Sequence, residues 1–139
     1  MILSRSADYG LRALIYLAEQ ASKTPTPLDV IAREQQVPPA LLSKILQTLV
    51  KGKVLRSHKG YGGGFVLVAD PAQLSVARVI ELIDGPFTVF ECLTDDGFCK
   101  IRGCCKLRAK FGELQALVRK RLGSITIAEL VDDPAEVGG

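Results

Sequence analysis

The chain has 139 residues, 47% hydrophobic and 24% charged, with a formal net charge of +3. That is one ordinary globular domain, or one small domain with an appendage, large enough to bury a core without a disulfide or a metal. One His and no Trp leave little room for His-based acid–base or metal chemistry, and no stretch reaches the roughly 18–20 apolar residues of a membrane span.

Met1-Ile2-Leu3-Ser4-Arg5 lacks the basic region, apolar core and cleavage site of a secretory signal. The expectation is a cytoplasmic protein with no membrane partner. Mean hydropathy is +0.22, high for so small a chain, which points to a partner subunit covering apolar surface.

Ala7, Leu11, Leu14, Ile15 and Ala18 share one helical stripe, giving a first helix capped by Ser4 or Ser6 and stopped at Lys23-Thr24-Pro25. Thr26-Pro27 reads as an N-cap followed by Pro at the first helical position. The short helix that follows buries Leu28, Ile31 and Ala32. After a break at Gln35-Gln36-Val37, Pro38-Pro39 opens a third helix with Leu42, Ile45, Leu46 and Leu49 on its inner face. Lys51-Gly52-Lys53 closes it with basic residues and a C′ glycine. Short helix, tight turn and longer helix make a helix-turn-helix.

Two β-prone runs, Val54–His58 and Phe65–Val68, flank Lys59-Gly60-Tyr61-Gly62-Gly63-Gly64. Four glycines in five positions permit a sharp reversal through positive φ. Two strands with a basic, Gly-rich tip form a wing. The fold class is therefore mainly α with a small β-hairpin, a winged helix-turn-helix.

Ser75 caps a helix carrying Val76, Val79, Ile80 and Ile83, which ends at Asp84-Gly85-Pro86. Residues 87–103 show no period and read as a loop. A long helix from about Cys104 to Leu122 carries Leu107, Phe111, Leu114, Val118 and Leu122 on one stripe, with Arg119-Lys120-Arg121 and Gly123 as its C-terminal signature. Thr126-Ile127-Ala128-Glu129 is a capping box for a last short helix, with Ile125 and Leu130 as its hydrophobic staple. Residues 134–139 read as a tail.

Residues 1–70 hold nine Lys/Arg against five Asp/Glu, and no acid lies between Gln35 and Ala69. The inner stripe of the third helix leaves Ala40, Ser43, Lys44, Gln47 and Lys51 facing outward. Ser, Lys and Gln can donate to base edges in a major groove. Lys59, with Tyr61 beside it at the wing tip, would reach a phosphate or a minor groove. A turn, a segment whose charges are all basic and a basic wing together point to double-stranded DNA rather than to a merely solvated face.

All four cysteines, Cys92, Cys99, Cys104 and Cys105, fall within fourteen consecutive residues. Zinc-knuckle spacing is absent. Wider gaps in a loop suit an iron–sulfur cluster, with Lys100, Arg102, Lys106 and Arg108 offsetting its charge. Cys104 and Cys105 are neighbours, so the quartet supplies three ligands and a fourth must come from elsewhere. No nucleophile–base pair and no phosphate-cradling loop ahead of a helix is visible, so an enzyme is not expected.

Ser6-Ala7-Asp8-Tyr9-Gly10-Leu11-Arg12-Ala13-Leu14, the wing Gly60-Tyr61-Gly62-Gly63-Gly64-Phe65 and the late cysteine loop closely resemble the Rrf-two family of bacterial transcription regulators. The resemblance runs from about residue 1 to 133. It implies a homodimer packed through the long helix, with a cluster held by Cys92, Cys99 and Cys105 that senses iron, nitric oxide or redox state. IscR-like members carry a His shortly after the third Cys, whereas here Lys106, Leu107, Arg108 and Ala109 follow Cys105. NsrR-like members use an early Asp from the other subunit, and Asp8 stands at the matching place. The resemblance therefore favours 4Fe–4S with Asp8 as fourth ligand, with 2Fe–2S as the alternative. The first cysteine gap is one residue longer than in those members, and Pro39 and Ala40 replace polar residues common at the start of IscR's recognition helix.

The expected organisation is a DNA-binding region at 1–85, a cluster loop at 86–103, a dimerisation helix with a C-terminal helix at 104–133 and a tail at 134–139. Two other readings remain. One keeps DNA binding but makes the cysteines a thiol or zinc site. The other makes the winged helix a protein-docking module.

Overall fold

The computed structural model describes residues 3–20, 23–88 and 106–134. Cys92, Cys99, Cys104, Cys105 and residues 135–139 lie outside the described residues. Among the described residues, six helices and one hairpin follow in chain order: α1 Arg5–Gln20, α2 Leu28–Gln35, α3 Pro39–Lys51, β1 Leu55–His58, β2 Gly64–Leu67, α4 Val76–Asp84, α5 Lys106–Ser124 and α6 Ile127–Asp132. This is the mainly helical winged helix-turn-helix expected from the sequence. No described helix is long and apolar enough to cross a membrane.

α3 is held by packing rather than by propensity. A 13-residue helix is marginal alone in water, but Leu42, Ile45, Leu46 and Leu49 are all buried in one cluster with Leu14, Ile31, Val54 and Phe65. Each such side chain contributes about 1.5–3 kcal/mol on burial. Pro39 sits in the first turn, where its missing N–H costs no hydrogen bond. Gln36 at φ 55° turns the chain between α2 and α3, and Val37 N–H closes the turn on the Ala32 carbonyl.

Capping decides several boundaries. Ser4, not Ser6, caps α1, its Oγ accepting from Ala7 N–H at 2.9 Å and donating to Asp84 Oδ1 at 2.6 Å. Ser75 Oγ accepts from Arg78 N–H, and Thr126 Oγ1 accepts from Glu129 N–H. Backbone bonds from Val76 N–H to Ile125 O and from Ile127 N–H to Leu74 O tie α6 to the start of α4.

Three expectations need correction. Thr26 does not cap α2, since the N-cap position belongs to Pro27 and no side-chain bond caps the helix. Thr26 instead exchanges both backbone bonds with Phe65, at 3.0 and 2.9 Å, and so pins the wing. Gly52 is not a left-handed C′ residue. Its φ is −79°, and Lys53 takes φ 63° instead. Gly52 is small because a Cβ there would meet Leu82 at 2.8 Å. Gly123 does not end the long helix either; α5 begins at Lys106 within the described residues and runs through Gly123 to Ser124, whose Oγ donates to the Arg121 carbonyl.

The hairpin pairs Leu55 with Leu67 through to His58 with Gly64. Gly64 has φ 148°, and a Cβ there would lie 2.2 Å from the Thr26 carbonyl oxygen. Backbone cannot swing aside as a flexible side chain can. Gly64→Ala should therefore cost about 1–3 kcal/mol, read by urea unfolding. A change under about 0.5 kcal/mol would contradict this account of the wing's anchor.

Candidate nucleic-acid interface

Because α3 buries its 42/45/46/49 face, Lys44, Gln47 and Lys51 are exposed and Ser43 is half-buried at the edge. The wing stands beside this helix. Between them lies a cleft of about 340 Å³ whose lining includes Gln47 from α3, Ser57, His58, Lys59, Gly60 and Gly63 from the wing, and Asp29 from the first turn of α2. The structure thus brings Gln47 and Lys59 to one surface. Tyr61 is at the tip, wholly exposed at 110% of its reference area.

Lys44 faces the other flank of α3. It lines a smaller depression with Ser6, Thr48 and Asp84, and its carbonyl accepts from Thr48 Oγ1 at 3.1 Å. The predicted contact residues therefore straddle the helix: Gln47 toward the wing, Lys44 toward α1 and α4.

Sequence reasoning did not find Asp29 and Ser57 as walls of the cleft. Asp29 reads as an ordinary first-turn acid. Its approach to the wing depends on the Thr26–Phe65 pairing, which no local pattern announces.

At the opposite end, Phe87 is buried with Ala7, Val76 and Ile80, and the Arg119 guanidinium donates to its carbonyl. The chain thus enters the cysteine segment beside the first turn of α1, the turn that carries Asp8. Asp8 Oδ2 lies 3.4 Å from Arg12 Nε, with side chains 51% and 39% exposed respectively. That Nε is buried without an aligned hydrogen bond. Arg12 also donates from Nη1 to the Gln35 carbonyl at 3.2 Å and sits 4.9 Å from the Tyr9 ring centroid. It joins Asp8 to the turn that precedes α3. Among the described residues, no three His, Cys, Asp or Glu side chains gather in a way that could hold a metal ion.

α5 packs on α4, yet no residue of α5 is buried. Leu107, Leu114, Leu117 and Val118 are exposed, Leu107 by 59% and Leu117 by 63%. These bare aliphatic side chains make an exposed apolar run along one helix.

Comparison with known proteins gives a consistent picture. The profile of the Rrf2 (Rrf-two) family, described as iron-dependent transcriptional regulator, matches residues 3–133. A protein of Mycobacterium tuberculosis named as the HTH-type transcriptional regulator Rv1287 is 40% identical over 86 residues; the match covers 62% of this chain and 53%, about half, of that relative. IscR of Sodalis glossinidius, named as an HTH-type transcriptional regulator, is 29% identical over 133 residues, covering 96% of this chain and 80% of the relative. The structure of CymR (YrzC), the global cysteine regulator of B. subtilis, superposes with a TM-score of 0.78 at 25% identity, covering 94% of this chain and 96% of that one.

The Asp8–Arg12 pair is solvent-screened, so its stabilising worth is small. Asp8→Ala should change unfolding free energy by less than about 1 kcal/mol, measured by denaturant titration. A larger loss would make Asp8 a structural residue.

Proposed function

The chain belongs to the Rrf2 family, and on that premise we propose that it is a homodimeric DNA-binding transcription regulator, not an enzyme, whose grip on a double-stranded operator is controlled by an iron–sulfur cluster. The observation that carries the DNA half is the single surface formed by α3 and the wing, with Gln47 and Lys59 on one cleft inside a segment free of acids from residue 36 to 69. Ser43 and Gln47 offer donors to base edges in the major groove. Lys44, Lys51 and Lys59 neutralise phosphates on either side. The exposed aliphatic face of α5 supports dimerisation, which sets two α3 helices about one DNA turn, roughly 34–36 Å, apart.

The donor set fits a cluster. Three soft thiolates, Cys92, Cys99 and Cys105, come from one short segment. His58, the chain's one His, belongs to β1 and lines the DNA-side cleft. The family resemblance offers a carboxylate, Asp8 of the partner subunit, as the fourth ligand, in keeping with a 4Fe–4S rather than a 2Fe–2S centre. When bound, the cluster supplies a centre sensitive to iron supply, nitric oxide or redox state. Arg12 would hold the Asp8 carboxylate to the Gln35 turn whenever the cluster does not claim it.

That same ion pair favours a second reading, in which Asp8 stays with Arg12 and the cysteines act as a thiol or zinc site. Anaerobic purification, native mass spectrometry and iron and sulfide analysis separate the two. The cluster reading predicts a dimer with four irons and four sulfides per chain. A metal-free or zinc-loaded dimer would establish the second reading and leave DNA binding standing. Failure to bind any genomic fragment at low salt, with or without metal, would leave only a protein-docking role for the winged helix.

Phosphate contacts release counterions, so affinity should fall steeply with salt. Lys44→Ala and Lys59→Ala should each weaken binding to all duplexes alike and lower the salt slope by about one, measured by fluorescence anisotropy. Unchanged affinity in both variants would sink this placement of the interface.

A further inference from the structure

The wing tip, residues 60–64, carries one side chain in five residues, that of Tyr61. The four glycines around it leave the tip no wider than a backbone turn plus one ring. They also let the turn be a tight one. Gly60 and Gly62 have φ of 85° and 76° with open space where a Cβ would stand, so these positions call for glycine by conformation alone. Gly63 and Gly64 admit no Cβ, because backbone carbonyl oxygens stand 2.3 and 2.2 Å from where it would be. Gly63 N–H closes the turn on the Gly60 carbonyl at 3.0 Å. The backbone is thus closely packed at Gly63 and Gly64, just after Tyr61, while the ring itself is wholly exposed.

We propose that Tyr61 is the specificity-determining residue of the wing, entering the minor groove beside the half-site and selecting A·T pairs there. This rests on the DNA-binding reading of α3 and the wing. A B-form minor groove is about 6 Å wide, which admits a lone ring but not a tip crowded with side chains. The ring is uncharged, so phosphate attraction falls to Lys59, two residues away. Along the groove floor A·T pairs present acceptors alone, adenine N3 and thymine O2, which a phenol O–H can meet. A G·C pair adds the guanine 2-amino group, a donor that fills the floor. A-tract narrowing further favours a flat ring held between the walls.

The test is parallel enrichment from a random-sequence duplex library by the full-length chain, by Tyr61→Ala and by Tyr61→Phe, all purified anaerobically. A wholly exposed side chain leaves folding intact, which circular dichroism checks. Expected is one shared core motif for all three proteins, with flanking A·T enrichment lost in Tyr61→Ala. Replacing the flanking A·T pairs by G·C should weaken wild-type binding about tenfold. Replacing them by inosine·cytosine pairs, which keep the A·T minor-groove face and change the major-groove face, should leave it within about twofold. Tyr61→Phe separates ring from hydroxyl: it keeps the shape preference and loses part of the A·T discrimination. Identical flanks for wild type and Tyr61→Ala, or inosine pairs as damaging as G·C, would overturn the proposal while the DNA-binding reading survives. No enrichment by any of the three proteins would overturn both.

Discussion

Leu42, Ile45, Leu46 and Leu49 are buried together, and their burial sets both the position and the rotation of α3. A helix with four aliphatic side chains locked into a core cannot turn about its axis without exposing them. Several kcal/mol of apolar burial therefore hold Ser43, Lys44, Gln47 and Lys51 on the outer side. The chemistry available to solvent on α3 is what the core leaves over.

The wing depends on the same core through a different bond type. Phe65 is buried in it while its backbone pairs with Thr26. One residue thus ties the hairpin to the core through its side chain and to the α2 entry through its main chain. α4 is fitted just as closely. A Cβ on Gly10 would meet Ile83 Cδ1 at 2.4 Å, and one on Gly52 would meet Leu82. The chain leaving α4 reaches the cysteine segment within a few residues, so the element next to that segment is in direct contact with both α1 and the end of α3.

Much of this was legible from periodicity and caps. The stripes at 42/45/46/49 and 76/79/80, the caps at Ser75 and Thr126, and the strand pair across a Gly-rich tip are local patterns, and local patterns survive into the fold. What was not legible is long-range. Thr26 looks like a cap because Thr-Pro starts helices, yet its main chain is taken by Phe65, 39 positions away. Gly52 looks like a left-handed C′ residue, yet its smallness serves Leu82. Gly123 looks like a stop, yet α5 continues past it, at a modest propensity cost of about 1 kcal/mol. In the candidate interface, residue types on α3 and at the wing tip could be named in advance. Asp29 and Ser57 as cleft walls could not, since they meet only once the hairpin is docked.

The central claim is that α3 and the wing act as one DNA-facing surface. Amide hydrogen exchange of the full chain, free and saturated with an enriched duplex, tests it most directly. The account predicts slowed exchange at residues 39–51 and 57–64 on binding, with residues 106–124 unchanged. Protection confined to α4 and α5, with α3 and the wing exchanging as in the free protein, would contradict it.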